Sequence, residues 1–598
     1  MAKNQKHEQL EIISQNLEKT LGKLELDKLD KVNENDTKNL KGNNKSLIDN
    51  YDDNSIKYDE ESSAKEELKK RSTSLSTKKG LVSSQVKSSW NLQGGDEIRV
   101  VVGLDFGTTY SGFSYCHIAS PDNIVTYVEW PKNLGNFKTN TVLQYDDKNE
   151  KVVSWGLPAL VKRPSQKMQN RNETEPVELF KLHLGDLSED LKPKLPKGID
   201  HEKAITNYLR VIKKLIKETI EARFQGINFH KHVLLVLTVP TEYSEIDKAI
   251  MRKCALNAGL KNLQFTTEPE AAAIYCMQSS LKENDLLTSG TTFMIVDCGG
   301  GTVDLTIHKL IGNNQLSEVT EGTGDFCGST FIDDEFINFL CKKLGDSAIN
   351  SFRDDYYSQF QYMIQEFCQR GTKAMFDPVI NQIIKLIHLQ LSNAREECCA
   401  MFLVGGFSES KYLQTRIKRE FQNQINVISI PRQPTAVTSR GATLYGLSLN
   451  SSNMKVTKCI ITTRIFKYTF GIKMEGDPIE RKLRNGRIDR FHCIAKRGTQ
   501  VNTNKKFTTY FTPLSPMQRK VSFGIYYTTE YDAKYCDEPG MMLLGKISVY
   551  LADSGESGKS GLLDKLFFAF IFGEMGISFI ARNETNGQNY KTTFEIDI

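Results

Sequence analysis

Between residues 98 and 450 short apolar runs alternate with stretches of helical period. Residues 98–104 (IRVVVGL) form a β-branched run that ends at Asp105, which predicts a buried strand followed by a tight turn. Val233–Val239 repeats the pattern as VLLVLTV and ends at Pro240. Residues 292–296 lead into Asp297, and residues 401–404 lead into Gly405-Gly406. Between these runs the 3.6-residue pattern predicts helices from Ser244 to about Ala258, from Pro378 to about Leu391 with proline near the start, and from near Lys411. Strands alternating with helices predict an α/β architecture.

Both flanks read differently. Residues 1–97 are rich in Lys, Asp, Asn, Ser and Glu, with Tyr51, Tyr58 and Trp90 as their aromatics. So little apolar surface cannot offset the entropy of ordering, and a disordered polar tail is expected. Leu10, Ile13, Leu17 and Leu24 share helical spacing, with Leu21 beside them. This suits a transient amphipathic helix; two heptads are short for self-association. The runs Lys69-Lys70-Arg71 and Lys78-Lys79 fit a solvated linker, with a nuclear signal as the alternative. After about residue 450, short alternating runs at 467–472, 521–527, 545–551, 566–572, 576–581 and 591–596 predict a β-rich region of about 140 residues. Read as it stands, the chain stops at Ile598 straight after a strand.

Composition narrows the function classes. A 598-residue chain that is 39% hydrophobic and 25% charged is long enough for three or four compact units. A net charge of +5 with both signs interspersed argues against a dedicated nucleic-acid binder. The longest apolar stretches fall well short of the ~20 residues of a membrane span, so no membrane segment is expected. No apolar signal segment opens the chain, and the twelve cysteines show no CxxC pairing. Reduced cysteines in a cytoplasmic protein are expected, with the nucleus as the alternative.

The chemistry concentrates in loops. In Asp105-Phe106-Gly107-Thr108-Thr109-Tyr110-Ser111-Gly112 a strand ends in a carboxylate and small residues turn the chain. Glycine lets backbone N–H groups approach phosphate oxygens, and threonine adds donors. An aspartate at a strand end suits hydrated Mg²⁺, which keeps most of its water shell. Asp297-Cys298-Gly299-Gly300-Gly301-Thr302-Val303-Asp304 repeats the logic some 190 residues later. Three consecutive glycines after a buried strand are costly unless close backbone approach is needed. Two such hairpins predict two similar lobes facing one nucleotide. Gly405-Gly406-Phe407-Ser408 suits the approach of a nucleoside.

These segments resemble the heat shock protein 70 family of the actin/sugar-kinase ATPase superfamily, and within it the divergent 12A/12B branch. The resemblance rests on GLDFGTTYSG (103–112), TVPTEYSE (238–245), NAGL and TEPEAAAIY (257–275), VDCGGGTVDLT (296–306), GTGDFCGSTFIDDEF (322–336), KAMFDPVINQII (373–384) and MFLVGGFSES (401–410). It implies a two-lobed actin-like ATPase with ribonuclease-H-like lobes at 98–285 and 286–450, and a β-sandwich-like substrate domain at 451–598. ATP/ADP and Mg²⁺ are the implied ligands, and unfolded or partner polypeptides and co-chaperones the implied partners. Asp105 and Asp297 resemble the pair that organises hydrated Mg²⁺. Thr108, Thr109 and Thr302, with Gly107, Tyr110, Gly299, Gly300 and Gly301, resemble phosphate ligands. Glu268 resembles the acid near the attacking water, Lys181 the essential lysine, and Asp304 a group that orients the water or the glycine loop. Phosphoryl transfer needs little beyond in-line water and charge neutralisation, which this set supplies.

The chain also departs from the family. Gln369-Arg370-Gly371-Thr372 passes almost directly into KAMFDP, where the family carries several tens of further residues beside the adenine. Asn453-Met454-Lys455-Val456-Thr457-Lys458 stands in place of a leucine-rich acidic linker, and no helical lid follows the strands. Pro240 matches a proline tied to interdomain signalling, but Lys248 stands where its arginine partner is expected and lacks the planar fork. Gly555-Glu556-Ser557-Gly558-Lys559-Ser560 has two residues where a Walker A loop needs four, and is read as a plain loop. The expected function is an ATP-binding, slowly hydrolysing chaperone-type protein. A nucleotide-gated scaffold is the alternative, and a sugar or metabolite kinase the third reading.

Overall fold

A computed structural model describes residues 98–161, 176–312, 314–355, 359–360, 363–364, 373–449, 461–475, 489–502, 505–512, 520–550, 565–573, 576–584 and 589–590. The expected polar tail, the 453–458 segment, the shortened stretch at 365–372, the glycine–lysine loop at 555–560 and the expected strand at 591–596 lie outside these residues.

Two mixed sheets share one strand order. In the first, β1 (Val100–Phe106), β2 (Tyr110–His117) and β3 (Val125–Thr126) run antiparallel, with β4 (Thr139–Asn140) also on β2. On its other side β1 pairs in parallel with β5 (Val233–Val239), which pairs in parallel with β6 (Leu263–Thr267). The second sheet repeats this. The strands β7 (Thr292–Cys298), β8 (Val303–Leu310) and β9 (Leu316–Glu318) are antiparallel, and β10 (Thr323–Asp325) also pairs with β8. On the far side β7 is parallel to β11 (Ala400–Val404), itself parallel to β12 (Val427–Ser429). The turn after the first strand of each sheet is one of the two glycine loops.

Both faces of β1 are covered, which explains its unbroken apolar run. Val100, Val102, Leu104 and Phe106 pack with α1 (His201–Arg223). That helix buries Ile205, Leu209, Ile212, Ile216 and Ile220 at 3–4 spacing, and Asp200 caps it by accepting from the Lys203 N–H at 2.7 Å. Each fully buried aliphatic side chain here contributes on the order of 1.5–3 kcal/mol. The other face of β1 places Val101 in a second cluster with Val236, Phe293, Ile295 and Val404. The same cluster takes in residues of α3 (Glu268–Gln278), which follows α2 (Glu245–Asn257), and residues further along the chain from 437 to 449. The helix predicted from Ser244 is α2, closed by a capping box between Ser244 and Asp247.

The helix predicted from Pro378 begins a turn earlier. After α4 (Thr330–Leu344), α5 spans Lys373–Asn393 with Pro378 inside it. Proline forfeits the bond to the carbonyl four residues back. The stripe of Phe376, Val379, Ile380, Ile383 and Ile387 is buried across that point and holds the helix together. Past α6 (Lys411–Phe421), α7 (Val437–Leu449) lies against α3. A Cβ at Gly441 would fall 1.8 Å from the Ala271 carbonyl oxygen, so glycine and the small Ala271-Ala272-Ala273 run allow the helices to touch.

Beyond residue 460 the chain joins the second sheet. β13 (Ile461–Ile465) pairs in parallel with β9, and Gln500–Asn502 pairs antiparallel with β13. The remaining strands form two four-stranded antiparallel sheets. One orders Asp489–Ala495, Thr469–Glu475, Lys520–Thr528 and Met542–Tyr550; the other orders Lys506–Phe511, Leu566–Gly573, Gly576–Asn583 and Asn589–Tyr590. Phe470, Ile472, Ile525, Phe568 and Phe570 from both sheets share one apolar cluster. Strand ends differ from the expected runs by up to three residues, because cross-strand pairing such as Tyr527 with Met542 extends some of them past the local pattern.

Candidate functional site

The ends of β1 and β7 carry the two aspartates. Asp105 and Asp297 are both buried. The two glycine loops meet closely: a Cβ at Gly300 would lie 1.9 Å from Thr109 Oγ1, and one at Gly301 would lie 2.7 Å from Thr108 Oγ1. No side chain fits at either glycine without displacing a threonine. The loop carbonyls are held from behind by the GTGDFCGST segment. The Ser329 N–H donates to the Gly299 carbonyl at 3.2 Å, the Thr330 N–H to Gly300 at 2.9 Å, and the Gly328 N–H to Gly301 at 3.2 Å. The Thr330 hydroxyl adds a second bond to Gly300 at 2.8 Å. Thr302 is buried, and Tyr110 stands half exposed at the rim.

Lys181 enters from a single tight turn, Phe180–His183, preceded by Leu179 at φ 56°. A non-glycine residue there costs roughly 1–3 kcal/mol, so the surroundings must enforce the turn. The Lys181 ammonium donates to the Phe106 carbonyl at 2.5 Å and to Glu268 Oε1 at 3.0 Å, and is itself almost fully buried. It also stands 5.3 Å from the Phe106 ring centroid. Glu268 is the first residue of α3, whose Thr267 cap accepts from the Glu270 N–H in a capping box. Burial pushes the Glu268 carboxyl up to about 7, with Lys181 opposing and Asp105 and Asp304 adding to the rise. Burial also raises Asp297 well above the usual carboxylate range, helped by Glu268 and Asp105 and opposed by Lys138. Asp304 accepts from the Thr241 N–H at 2.8 Å and is raised to about 6, by burial first and then by Glu242.

Gly405 sits at φ 83°, and a Cβ there would lie 2.5 Å from Asp297 Oδ1, so the third glycine motif abuts the second aspartate. Phe407 and Ser408 are buried, and the Ser408 hydroxyl donates to the Gly405 carbonyl at 2.6 Å. Their side chains shape this turn. Lys248 forms an ion pair with Glu245 at 2.9 Å.

Several charged residues of the site carried no signal in the sequence. Lys138 stands 2.7 Å from the buried Asp105 Oδ2 as its ion-pair neighbour. Burial opposes the Lys138 charge, but Asp105, Asp297 and Glu268 together outweigh it and raise the ammonium above its ordinary value. Glu270, two residues beyond Glu268, forms an ion pair with Arg464 of β13 at 2.7 Å. Burial would raise the Glu270 carboxyl; Arg464, with the Thr267 N–H and His308, outweighs it and holds it low. Lys467–Glu242 at 3.0 Å and Arg497–Glu321 at 2.9 Å make further pairs between the C-terminal strands and this region. The Arg464 and Lys467 contacts come within ten residues of the 453–458 segment, where an unfamiliar linker was expected.

The comparisons with known proteins give first a class that part of the chain matches and then the relatives that it resembles. Residues 201–343 match the model of the MreB/Mbl protein family, a family of actin-like ATPases. The chain is 24% identical to mouse (Mus musculus) heat shock 70 kDa protein 12A, over 76% of this chain and 85% of that protein. It is 22% identical to human (Homo sapiens) heat shock 70 kDa protein 12B, with 76% and 85% covered. It is 21% identical to the chaperone protein DnaK of Thermotoga neapolitana, with 71% and 70% covered. The resemblance to the heat shock protein 70 family, on its 12A/12B branch, is borne out. Among the described residues no helix is long and apolar enough to cross a membrane.

Proposed function

We propose that this chain binds ATP and ADP with Mg²⁺ between the two glycine loops and hydrolyses ATP slowly, as a chaperone or chaperone-related protein of heat-shock-70 type. The observation that carries this reading is the buried Lys181–Glu268 pair, set beside two loops whose glycines admit no side chain. The similarity to DnaK and to the 12A and 12B proteins supports it. On this reading 98–285 and 286–450 are the two lobes, and the strands after 450 engage polypeptide.

The residues suit a hydrated magnesium. Asp105 and Asp297 offer buried carboxylates, and among the described residues Asp105 Oδ2 is balanced by the Lys138 ammonium alone at 2.7 Å. No group of three or more metal-binding side chains occurs among the described residues, which fits an ion held through water. Bound there, magnesium would neutralise charge on the phosphate oxygens. The protein supplies the rest. Loop N–H groups and Thr108, Thr109 and Thr302 hold phosphate, and Lys181 balances charge on the transferring group. Glu268, with its raised pKa, takes a proton from water, and Asp304 fixes the loop behind it.

Titration with ATP and Mg²⁺ followed by single-turnover phosphate release tests this. Lys181→Met and Glu268→Gln should slow release by about 100-fold or more while ATP still binds. Release at the same rate in both variants would overturn the hydrolytic assignment. A nucleotide-gated scaffold is the second reading, favoured by the ion pairs that tie the C-terminal strands to Glu270 of α3, to Glu242 and to Glu321. Binding without any release selects it.

A further inference from the structure

Lys138 belongs to a strap, Phe137-Lys138-Thr139-Asn140-Thr141, tied to the first glycine loop along its length. Asn140 and Thr139 pair with Tyr110 and Ser111. The Thr141 N–H donates to the Thr109 carbonyl and its hydroxyl to the Gly107 carbonyl, both at 2.8 Å. The lysine stem crosses Gly112, where a Cβ would lie 2.9 Å from Lys138 Cγ and 2.5 Å from the Phe137 carbonyl oxygen. Glycine at 112 thus leaves room for the stem. Its ammonium then reaches Asp105, with Asp297 and Glu268 as further acidic neighbours. Lys181, the other cation of the site, is committed to Glu268 and the Phe106 carbonyl.

The contact with Asp105 is an ion pair at 2.7 Å, and the Lys138 side chain keeps 18% of its surface exposed. An ammonium on a four-carbon stem has three rotatable donors and exchanges one anionic oxygen for another at small cost. We propose that Lys138 is a second phosphate-binding lysine. It neutralises Asp105 when the cleft holds no nucleotide, and turns to the phosphate chain when nucleotide enters, so that the cleft retains nucleotide without magnesium. This rests on the nucleotide-binding reading above.

The test is equilibrium binding of a fluorescent N-methylanthraniloyl-ADP to the full chain, in excess Mg²⁺ and in EDTA. The wild type should bind in both. Lys138→Met, which keeps the stem, should lose about 10- to 100-fold in EDTA, the size of one charge-assisted hydrogen bond, and only a few-fold in Mg²⁺. Lys138→Arg should restore most of the EDTA binding. Equal losses in both conditions for Lys138→Met would overturn the proposal. So would a wild type that binds in Mg²⁺ but not in EDTA, whatever the variants do. A wild type that binds in neither condition overturns the nucleotide reading itself.

Discussion

At Glu268 burial and charge pull in opposite directions. Burial lifts its carboxyl to about 7 while Lys181 at 3.0 Å holds part of the charge in place. The consequence for stability follows from the sign. A carboxyl raised above its unfolded value of 4.5 adds stability that is fully present below 4.5 and is lost as pH rises through about 7. The consequence for the proposed reaction runs the other way, because a base must be deprotonated. Single-turnover phosphate release should therefore climb with pH through about 7 and level off above it, and Glu268→Gln should flatten the climb. A rate independent of pH between 6 and 8 in the wild type would remove Glu268 from the role of base, taking roughly one unit each side of that value.

The helix α3 is the element on which most of the site turns. Its first residue faces Lys181, and its third is paired with Arg464 from β13, so one rigid turn connects the cleft with the C-terminal strands. Arg464→Ala would leave the Glu270 carboxylate buried and unpaired. With Arg464 about a fifth exposed, the loss should sit at the low end of the usual range for a broken buried pair, about 3 kcal/mol, read by urea unfolding. An unchanged midpoint would mean that water replaces the guanidinium. Arg464→Lys should recover only part of the loss, since the carboxylate is gripped through both Nε and Nη2. This element also shows what the sequence could carry. The strand, aspartate and glycine order around Asp105 and Asp297 is local, so composition and spacing reveal it. Glu268 was legible through its motif alone. Lys138 and Arg464 were not, because each meets its partner through tertiary approach across distant strands, and a lone lysine or arginine in a polar strand reads as solvated. Glu270 is the clearest case: it closes a capping box with Thr267, and the fold adds a guanidinium to it from a strand nearly 200 residues away.

At the scale of the whole molecule the repeated strand order of the two sheets was legible in outline, from two matching hairpins. Its completion was not. The second sheet gains β13 and Gln500–Asn502 on the β9 side, from a region whose own pattern predicts only short independent strands. Ser317 of β9 meets Thr463 at 2.7 Å through their hydroxyls, and Gln500 reaches both. This added strand has a consequence for solubility. A fragment ending at residue 449 would leave β9 as a bare edge, with unpaired backbone groups open to another chain and with the Glu270 and Glu318 carboxylates stripped of their partners. Such a fragment should scatter light and pellet under conditions where the full chain stays dispersed. Ser317→Lys in the fragment should reduce that association, because a charge on an open edge repels a second strand. A fragment that remains monomeric without the substitution would mean that the edge is protected by other means. The chain thus carries, in its C-terminal strands, the cover that keeps its own sheet from growing onto a neighbour's.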